Sequence, residues 1–296
     1  MIRFNRDVRR RIKDRVMVVL ALVCVALALI PLGSILFTVI VRGSSVINVD
    51  FFTQIQPTPC SPTPGVVCPQ GGIANAIIGT FLLLGLSSAI GIPLGLLAGI
   101  YLAEYGTGPL VFAVRFFADV MTGLPSIVMG LFIFAAFQLL FPGFVFSAIA
   151  GSLALAVIVV PFVARTSEES LRLVPGSIRE AALALGVPKY RVTLRVVLSS
   201  AREGIVTGAL LAIARIGGET APLIMTALGN SFVSTRLDQP IQAMPLVIFN
   251  FATSPYANWN ALAWGTALLL VLIMLGLSIA ARLLLRRRFR ERRIGA

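Results

Sequence analysis

The sequence predicts an all-α integral membrane protein with six transmembrane helices. Three observations carry that prediction: an apolar composition, six long apolar runs, and a one-sided distribution of Lys and Arg. Of 296 residues, 57% are hydrophobic and 12% charged, and the mean hydropathy is +0.94, whereas an ordinary soluble domain carries about 25% charged residues. A span needs roughly 20 mostly apolar residues, and runs of that kind cover residues 16–41, 76–102, 119–140, 145–164, 204–227 and 259–285. Seven Lys or Arg fall in residues 1–15, seven in 165–202 and seven in 282–293, which is 21 of the 25 in the chain. These three segments lie on one side of a six-span topology, with Arg115 in the short connection after the second span. The connections on the other side hold only Arg42 and Arg236. The positive-inside rule therefore makes both termini cytoplasmic. It also assigns the net charge of +13 to membrane topology rather than to nucleic acid.

The first run is about 26 residues long, well past the roughly 7–15 apolar residues of a signal-peptide core, so it reads as a retained helix. Cys24 within it is a small apolar packing residue. The loop that follows, QPTPCSPTPGVVCPQGG (56–72), contains Pro57, Pro59, Pro62, Pro64 and Pro69, which favour extended or turn conformations. Cys60 and Cys68, on the outer side, can close a disulfide in an oxidising compartment, although spacing leaves the geometry open. No metal site is expected, because the chain has no His and no second cysteine pair.

The second and third runs are rich in Gly and Pro, as in GLSSAIGIPLGLLAG (85–99) and TGLPSIVMGLF (122–132). Small residues let helices approach closely, and Pro is tolerated where neighbours satisfy the freed carbonyl. Gly91, Gly95 and Gly99 make a small-xxx-small face. Kinks that move during function are the other reading of these segments.

The connection between the fourth and fifth runs carries its own start and stop signals in SIREAALALGVPKYRVTLRVVL (177–198). Ser177 and Glu180 have the spacing of a capping box. Gly186 suits the left-handed position that ends a helix, and Pro188 prevents continuation. The expected element is a short helix over 178–185. Its AALAL stretch is apolar for so short an exposed element, which suits either an interfacial helix on lipid headgroups or a docking helix for a cytoplasmic partner.

Within the fifth run, ARIGGETAPL (214–223) places Arg215 and Glu219 in an apolar setting. If the span begins near Gly204, Arg215 lies about 17 Å in, near the middle of a core about 30 Å thick. Insertion scales put a charge there at roughly 2.5–3.5 kcal/mol. A spacing of four lets the pair meet on one helical face, and Gly217 and Gly218 between them let a backbone or solute come close. Three readings fit: a structural ion pair fixing register, a contact or gate on a translocation path, or a segment lying outside the bilayer. On the path, Arg215 offers a planar fork to an oxyanion, Glu219 orients it and keeps binding weak enough for release, and Thr220 adds a hydroxyl donor.

The chain has no G-x-x-x-x-G-K-[ST] loop, since its only lysines, Lys13 and Lys189, follow no glycine. It also lacks a nucleophile with a base and an intramembrane carboxylate cluster. A non-catalytic subunit powered by a separate protein is expected.

Glu180-Ala181-Ala182, three residues and then Gly186 resemble the EAA loop of ABC-importer permeases, the family of ABC type-1 transmembrane permeases. A departure is that Leu198 is followed by Ser199, where these loops often end in a hydrophobic-Pro pair. ARIGGETAPLIMTALGNSF (214–232), LPSIVMGLF (124–132) and QPIQAMPLVIFNFATSP (239–255) are similar to the permeases of phosphate importers in particular. The resemblance implies a type I ABC importer permease fold over residues 73–285, with the EAA loop at 177–198. It leaves 1–72 as cytoplasmic N-terminus, first helix and proline-rich loop, and 286–296 as a basic cytoplasmic tail. It further implies a prokaryotic plasma membrane location, a second, related permease subunit, and a dimer of ATPase subunits that bind ATP with Mg and dock on Glu180, Ala181, Ala182 and Gly186. An extracytoplasmic phosphate-binding protein would complete the set, with no cofactor on this chain. A permease for molybdate or sulfate would share the EAA loop. An ion-driven carrier would instead show inverted repeats around discontinuous helices, and no convincing repeat is visible.

Overall fold

The computed structural model describes residues 2–60, 68, 69 and 71–294. Parts of the proline-rich loop (61–67 and 70), and the side chains of 1–9, of 281, 282, 284 and 285 and of the basic tail 286–296, lie outside the described residues. Twelve α-helices are described: α1 (Ile2–Ser44), α2 (Val49–Thr53), α3 (Ala74–Ile100), α4 (Pro109–Gly123), α5 (Ser126–Leu140), α6 (Ala148–Arg172), α7 (Gly176–Ala184), α8 (Lys189–Arg191), α9 (Leu198–Ile216), α10 (Ala221–Thr226), α11 (Met244–Ala252) and α12 (Ala257–Ile294). Among the described residues, five helices are long and apolar enough to cross a membrane, and a sixth span is formed if the bent pair α4 and α5 counts as one. The protein is an all-α, multi-pass membrane protein.

The bundle is built on α3 and α6. Gly91, Gly95 and Gly99 stack along α3 at one-turn intervals and let α6 approach its backbone. A Cβ on Gly95 would lie 2.8 Å from both the Val160 carbonyl oxygen and Val163 Cβ, and one on Gly99 would lie 2.7 Å from the Ala164 carbonyl oxygen. Helix α6 starts at Ser147, whose Oγ accepts from Ala150 N at 3.1 Å, and Pro161 sits within it without ending it. Leu83, Leu155, Val159, Ile216 and Leu223 form the buried core where α3, α6, α9 and α10 meet. We expect Gly95→Leu to part α3 from α6, because overpacking costs about 1–3 kcal/mol even against movable side chains and here the obstacle includes backbone. Loss of the folded fraction on size-exclusion chromatography in mild detergent is the readout. A Gly95→Leu permease as monodisperse as wild type would show that the helices do not need this contact.

Two predicted spans need correction. The third, 119–140, is not one helix: α4 begins at Pro109, so Arg115 lies inside a helix rather than in a connection, and α4 and α5 are bent by 107°. The break falls at Leu124 (ψ 144°), directly before Pro125, where the proline ring disfavours helical geometry in the preceding residue. The fifth, 204–227, starts earlier and stops sooner. The chain is helical from Lys189 through a π-helical turn at Val192–Val197 into α9, which ends at Ile216. Gly217 N to the Ile213 carbonyl (3.0 Å) and Gly218 N to the Arg215 carbonyl (3.3 Å) close the last turn, and α10 resumes at Ala221. Consecutive glycines and Pro222 at the new helix start make continuation costly.

The capping box at Ser177 and Glu180 also does not form. Helix α7 starts at Gly176 after Pro175, with no side-chain cap, and Ile178 N donates to the Pro175 carbonyl at 3.2 Å. Pro175 takes the cap position two residues ahead of Ser177, which leaves Ser177 inside the first turn. The stop is as read: Gly186 has φ +76° and its N–H donates to the Leu183 carbonyl at 2.9 Å.

Candidate translocation site and docking element

Helix α6 serves as a ruler for depth. It runs antiparallel to α9: Gly204 approaches Ser170, Gly208 approaches Thr166, and the Arg215 guanidinium lies 5.9 Å from the Phe162 ring centroid. Phe162 is about 21 Å along the helix from Ala148 and about 15 Å from Arg172 at 1.5 Å per residue. Arg215 is thus level with the middle of the bundle, in the last turn of α9 rather than inside a continuous helix. A cation in the last turn of a helix is favourably placed against the C-terminal carbonyls.

Arg215 Nε and Glu219 Oε1 are 4.0 Å apart, with side chains 41% and 19% exposed. At that separation the pair is a loose one, open on one face of the chain. Thr220 stands at the start of α10 and caps it with its carbonyl, which accepts from Leu223 N and Ile224 N at 3.1 Å each, not with its hydroxyl. The three residues read from the sequence therefore come together where a helix is interrupted. Irregular backbone at membrane depth is tolerated where it is buried in protein or lines a water-filled cavity.

A second charged group was not singled out from the sequence. Glu168 on α6 is 1% exposed, and three guanidiniums converge on it: Arg115 Nε at 2.7 Å, Arg172 Nη2 at 3.0 Å and Arg165 Nη1 at 3.1 Å. Arg165 Nε also meets Asp119 Oδ1 at 2.8 Å, and Arg115 Nη2 donates to the Leu102 carbonyl at 3.0 Å. The cluster ties α4 to α6 and, through Leu102, to the turn that follows α3, near their basic end. Its trace in the sequence is Arg165-x-x-Glu168-x-x-x-Arg172, charges at helical i, i+3 and i+4 offsets. Counting those arginines as loop residues hid the pattern.

The short helix α7, expected from the sequence to be a docking element, is held from within the bundle. Arg179 on α7 bonds Glu104 Oε1 through Nη2 at 2.7 Å and Nε at 3.0 Å, and donates to the carbonyls of Leu171 (2.7 Å) and Val174. Glu104 belongs to a π-helical turn, Tyr101–Tyr105, that extends α3, and Lys189 of α8 sits 5.0 Å from the Tyr105 ring centroid. Ala182 packs on the cluster of Leu171, Val174, Val192 and Val197, while Glu180, Ala181 and Gly186 are exposed. Leu173 and Leu185, each 84% exposed, flank α7 with apolar surface.

At the opposite end, the Cys60 and Cys68 sulfurs are bonded, with Cα atoms 5.6 Å apart. The Trp259 indole N–H donates to the Pro57 carbonyl at 2.9 Å, which anchors this loop to α12. Nearby in the chain, Arg236 hydrogen-bonds the Asp238 carboxylate and holds it below the usual range, chiefly through that bond. Among the described residues no group of three or more His, Cys, Asp or Glu has a metal-binding arrangement.

Because α7 is stopped by a residue at positive φ, Gly186→Val should strain this element by about 1 kcal/mol or more. We expect normal insertion into the membrane with weaker co-purification of the ATPase subunit that the EAA resemblance implies, or ATP hydrolysis by it uncoupled from transport. Full association and coupling in this variant would remove the turn from the mechanism.

The described helices thus form a multi-pass bundle interrupted beside a charged pair, with a short helix held against its basic end. Residues 91–290 match the family model described as binding-protein-dependent transport system inner membrane component, and the chain belongs to that family. It is 45% identical over 93% of its length to the phosphate transport system permease protein PstA of Pasteurella multocida, covering 95% of that protein. It is 38% identical over 93% of its length to the phosphate transport system permease protein PstA 1 of Mycobacterium tuberculosis strain H37Rv, covering 88% of it. Among solved structures, an inward-facing form of the MetNI methionine ABC transporter matches with a TM-score of 0.56 at 17% identity, covering 72% of this chain and 95% of that one. The last likeness concerns the fold alone.

Proposed function

We propose that this chain is a membrane permease subunit of an ATP-driven importer of inorganic phosphate, forming half of the translocation pathway. The observation that carries the reading is similarity along more than nine tenths of the chain to proteins named as phosphate permeases. The chain supplies no catalysis. ATP, with Mg, is bound and hydrolysed by a dimer of partner subunits that seats on α7 through Glu180, Ala181 and Ala182, with Gly186 fixing the end of the helix. A second, related permease completes the pathway, and an extracytoplasmic phosphate-binding protein delivers the anion. Both termini are cytoplasmic, and the Cys60–Cys68 bridge lies outside, where oxidation is stable.

Closure of the ATPase pair moves α7, and Arg179 carries that displacement to α6 and to the end of α3, the elements it bonds. Arg215, Glu219 and Thr220 act on the anion or its gate. An open pair at 4.0 Å suits this role better than a register-fixing ion pair, which would be closed and buried. In it, Arg215 meets phosphate oxygens while Glu219 weakens the hold enough for release. Mild detergent extraction of the tagged permease tests the first step: an ATPase subunit is expected to co-purify. A permease that purifies with no ATPase under conditions preserving transport would sink the reading.

A further inference from the structure

At the end of the bundle opposite α7, where α1 meets α12, the structure holds a cavity of about 420 Å³ lined by Arg42, Ser254, Tyr256, Asn260 and Trp264. Arg42 follows the long apolar stretch of α1 directly, so it stands at headgroup level. Its guanidinium lies 5.2 Å from the Trp264 ring centroid, an arrangement that fixes the side chain without neutralising it. Gly43 makes the approach possible, since a Cβ there would lie 2.7 Å from the Trp264 carbonyl oxygen.

The hydrogen-bond inventory of this cavity is unbalanced. Asn260 is partly engaged: Nδ2 donates to the Ala252 carbonyl at 3.1 Å and Oδ1 accepts from Trp264 Nε1 at 3.2 Å, which leaves its second amide hydrogen to donate. Ser254 Oγ accepts from Tyr256 N at 3.2 Å, which leaves its hydroxyl proton free to donate. Among the described residues, neither the Arg42 guanidinium nor the Tyr256 hydroxyl has a hydrogen-bond acceptor or an acidic partner. The lining contains no Asp or Glu. A concave site with a cation and two free hydroxyl donors, and no acceptor charge, is complementary to an anion.

Two further features decide which anion. Trp264, Trp259 and Tyr256 together form the kind of aromatic belt that sits at the membrane interface. Directly below the cavity, α1 and α12 present apolar side chains to the bilayer: Phe37, Ile40 and Val41 on one helix, Leu272 and Leu275 on the other, all 52–68% exposed. A headgroup phosphate in the cavity would place its acyl chains along these flanks. We propose that this is a binding site for an anionic phospholipid, with Arg42 and the Tyr256 hydroxyl holding the phosphate diester and Ser254 donating a further bond. The absence of any carboxylate disfavours headgroups carrying an amine, which would bring an unpaired cation beside Arg42.

The test is native mass spectrometry and thermal unfolding of the detergent-purified permease complex titrated with dioleoylphosphatidylglycerol, with dioleoylphosphatidylcholine and inorganic phosphate as parallel arms. Phosphatidylglycerol is expected to bind and to raise the unfolding temperature. Affinity should fall about tenfold or more in Arg42→Gln, the loss of one charge-assisted contact, and by a smaller factor in Tyr256→Phe. Arg236→Gln, which alters an exposed arginine elsewhere at this end, should leave it unchanged. Equal lipid binding in wild type and Arg42→Gln would overturn the site. Saturable stabilisation by inorganic phosphate that needs Arg42 and matches that of the lipid would overturn the lipid assignment and make the cavity a site for the free anion.

Discussion

Arg215→Gln is expected to leave a permease that inserts and assembles yet takes up phosphate about tenfold or more slowly, the loss of one charge-assisted contact worth roughly 1.5–3 kcal/mol. Removing the cation leaves Glu219 without its partner, and Glu219→Gln, which removes the other half of the pair, should be impaired as well. The double variant separates the two roles. A structural pair recovers once both charges are gone, because no uncompensated charge remains, whereas a pair acting on the anion does not. The geometry favours the second outcome: the charges are 4.0 Å apart, at the end of α9 rather than locked inside it. Radiolabelled phosphate uptake, normalised to assembled complex in the membrane, is the measurement. Full uptake by the double variant would reduce the pair to a packing device.

The largest effect on stability is expected at Glu168. Glu168→Ala strands Arg115, Arg165 and Arg172 against one another with only Asp119 left on Arg165. Breaking a buried pair costs about 3–5 kcal/mol. The arginines are 30%, 31% and 54% exposed, so water relieves part of the penalty, and the lower end of that range applies. For a chain of 296 residues about 3 kcal/mol corresponds to a fall of roughly 5 °C in unfolding temperature. Glu168→Gln, which keeps the shape and an acceptor, should lose less. Thermal unfolding of the detergent-solubilised permease is the check, and an unchanged midpoint in Glu168→Ala would mean the cluster does not hold α4 to α6.

The bundle was legible in the sequence because apolar runs and one-sided basic segments are imposed by the bilayer itself, and no tertiary contact has to be known to read them. Gly186 was legible for a similar reason, since a positive-φ stop is a local backbone demand. Ser177 shows where local reading fails: the same residue types that cap a helix were displaced by Pro175, which set the entry first. The break after Ile216 was marked by Gly217, Gly218 and Pro222, but hydropathy continues across it and reads as one span through residue 227. Glu104 was hidden because its partner Arg179 lies 75 positions away, and Glu168 because its near partners Arg165 and Arg172 were counted as loop residues while Arg115 lies 53 positions away; a charge in an amphipathic segment looks the same whether it faces water or an arginine. The cation at Arg42 likewise gained meaning only when Trp264 on α12 and Tyr256 just ahead of that helix were brought to it.

Reconstitution reports most directly on the central claim that this chain forms half of an ATP-driven phosphate pathway. Proteoliposomes containing the purified complex, with binding protein outside and ATP trapped inside, should accumulate labelled phosphate. That uptake should stop when ATP is replaced by a non-hydrolysable analogue, and when this subunit is left out of the assembly. Phosphate accumulation driven by an ion gradient without ATP, or ATP-driven uptake that persists without this chain, would contradict it.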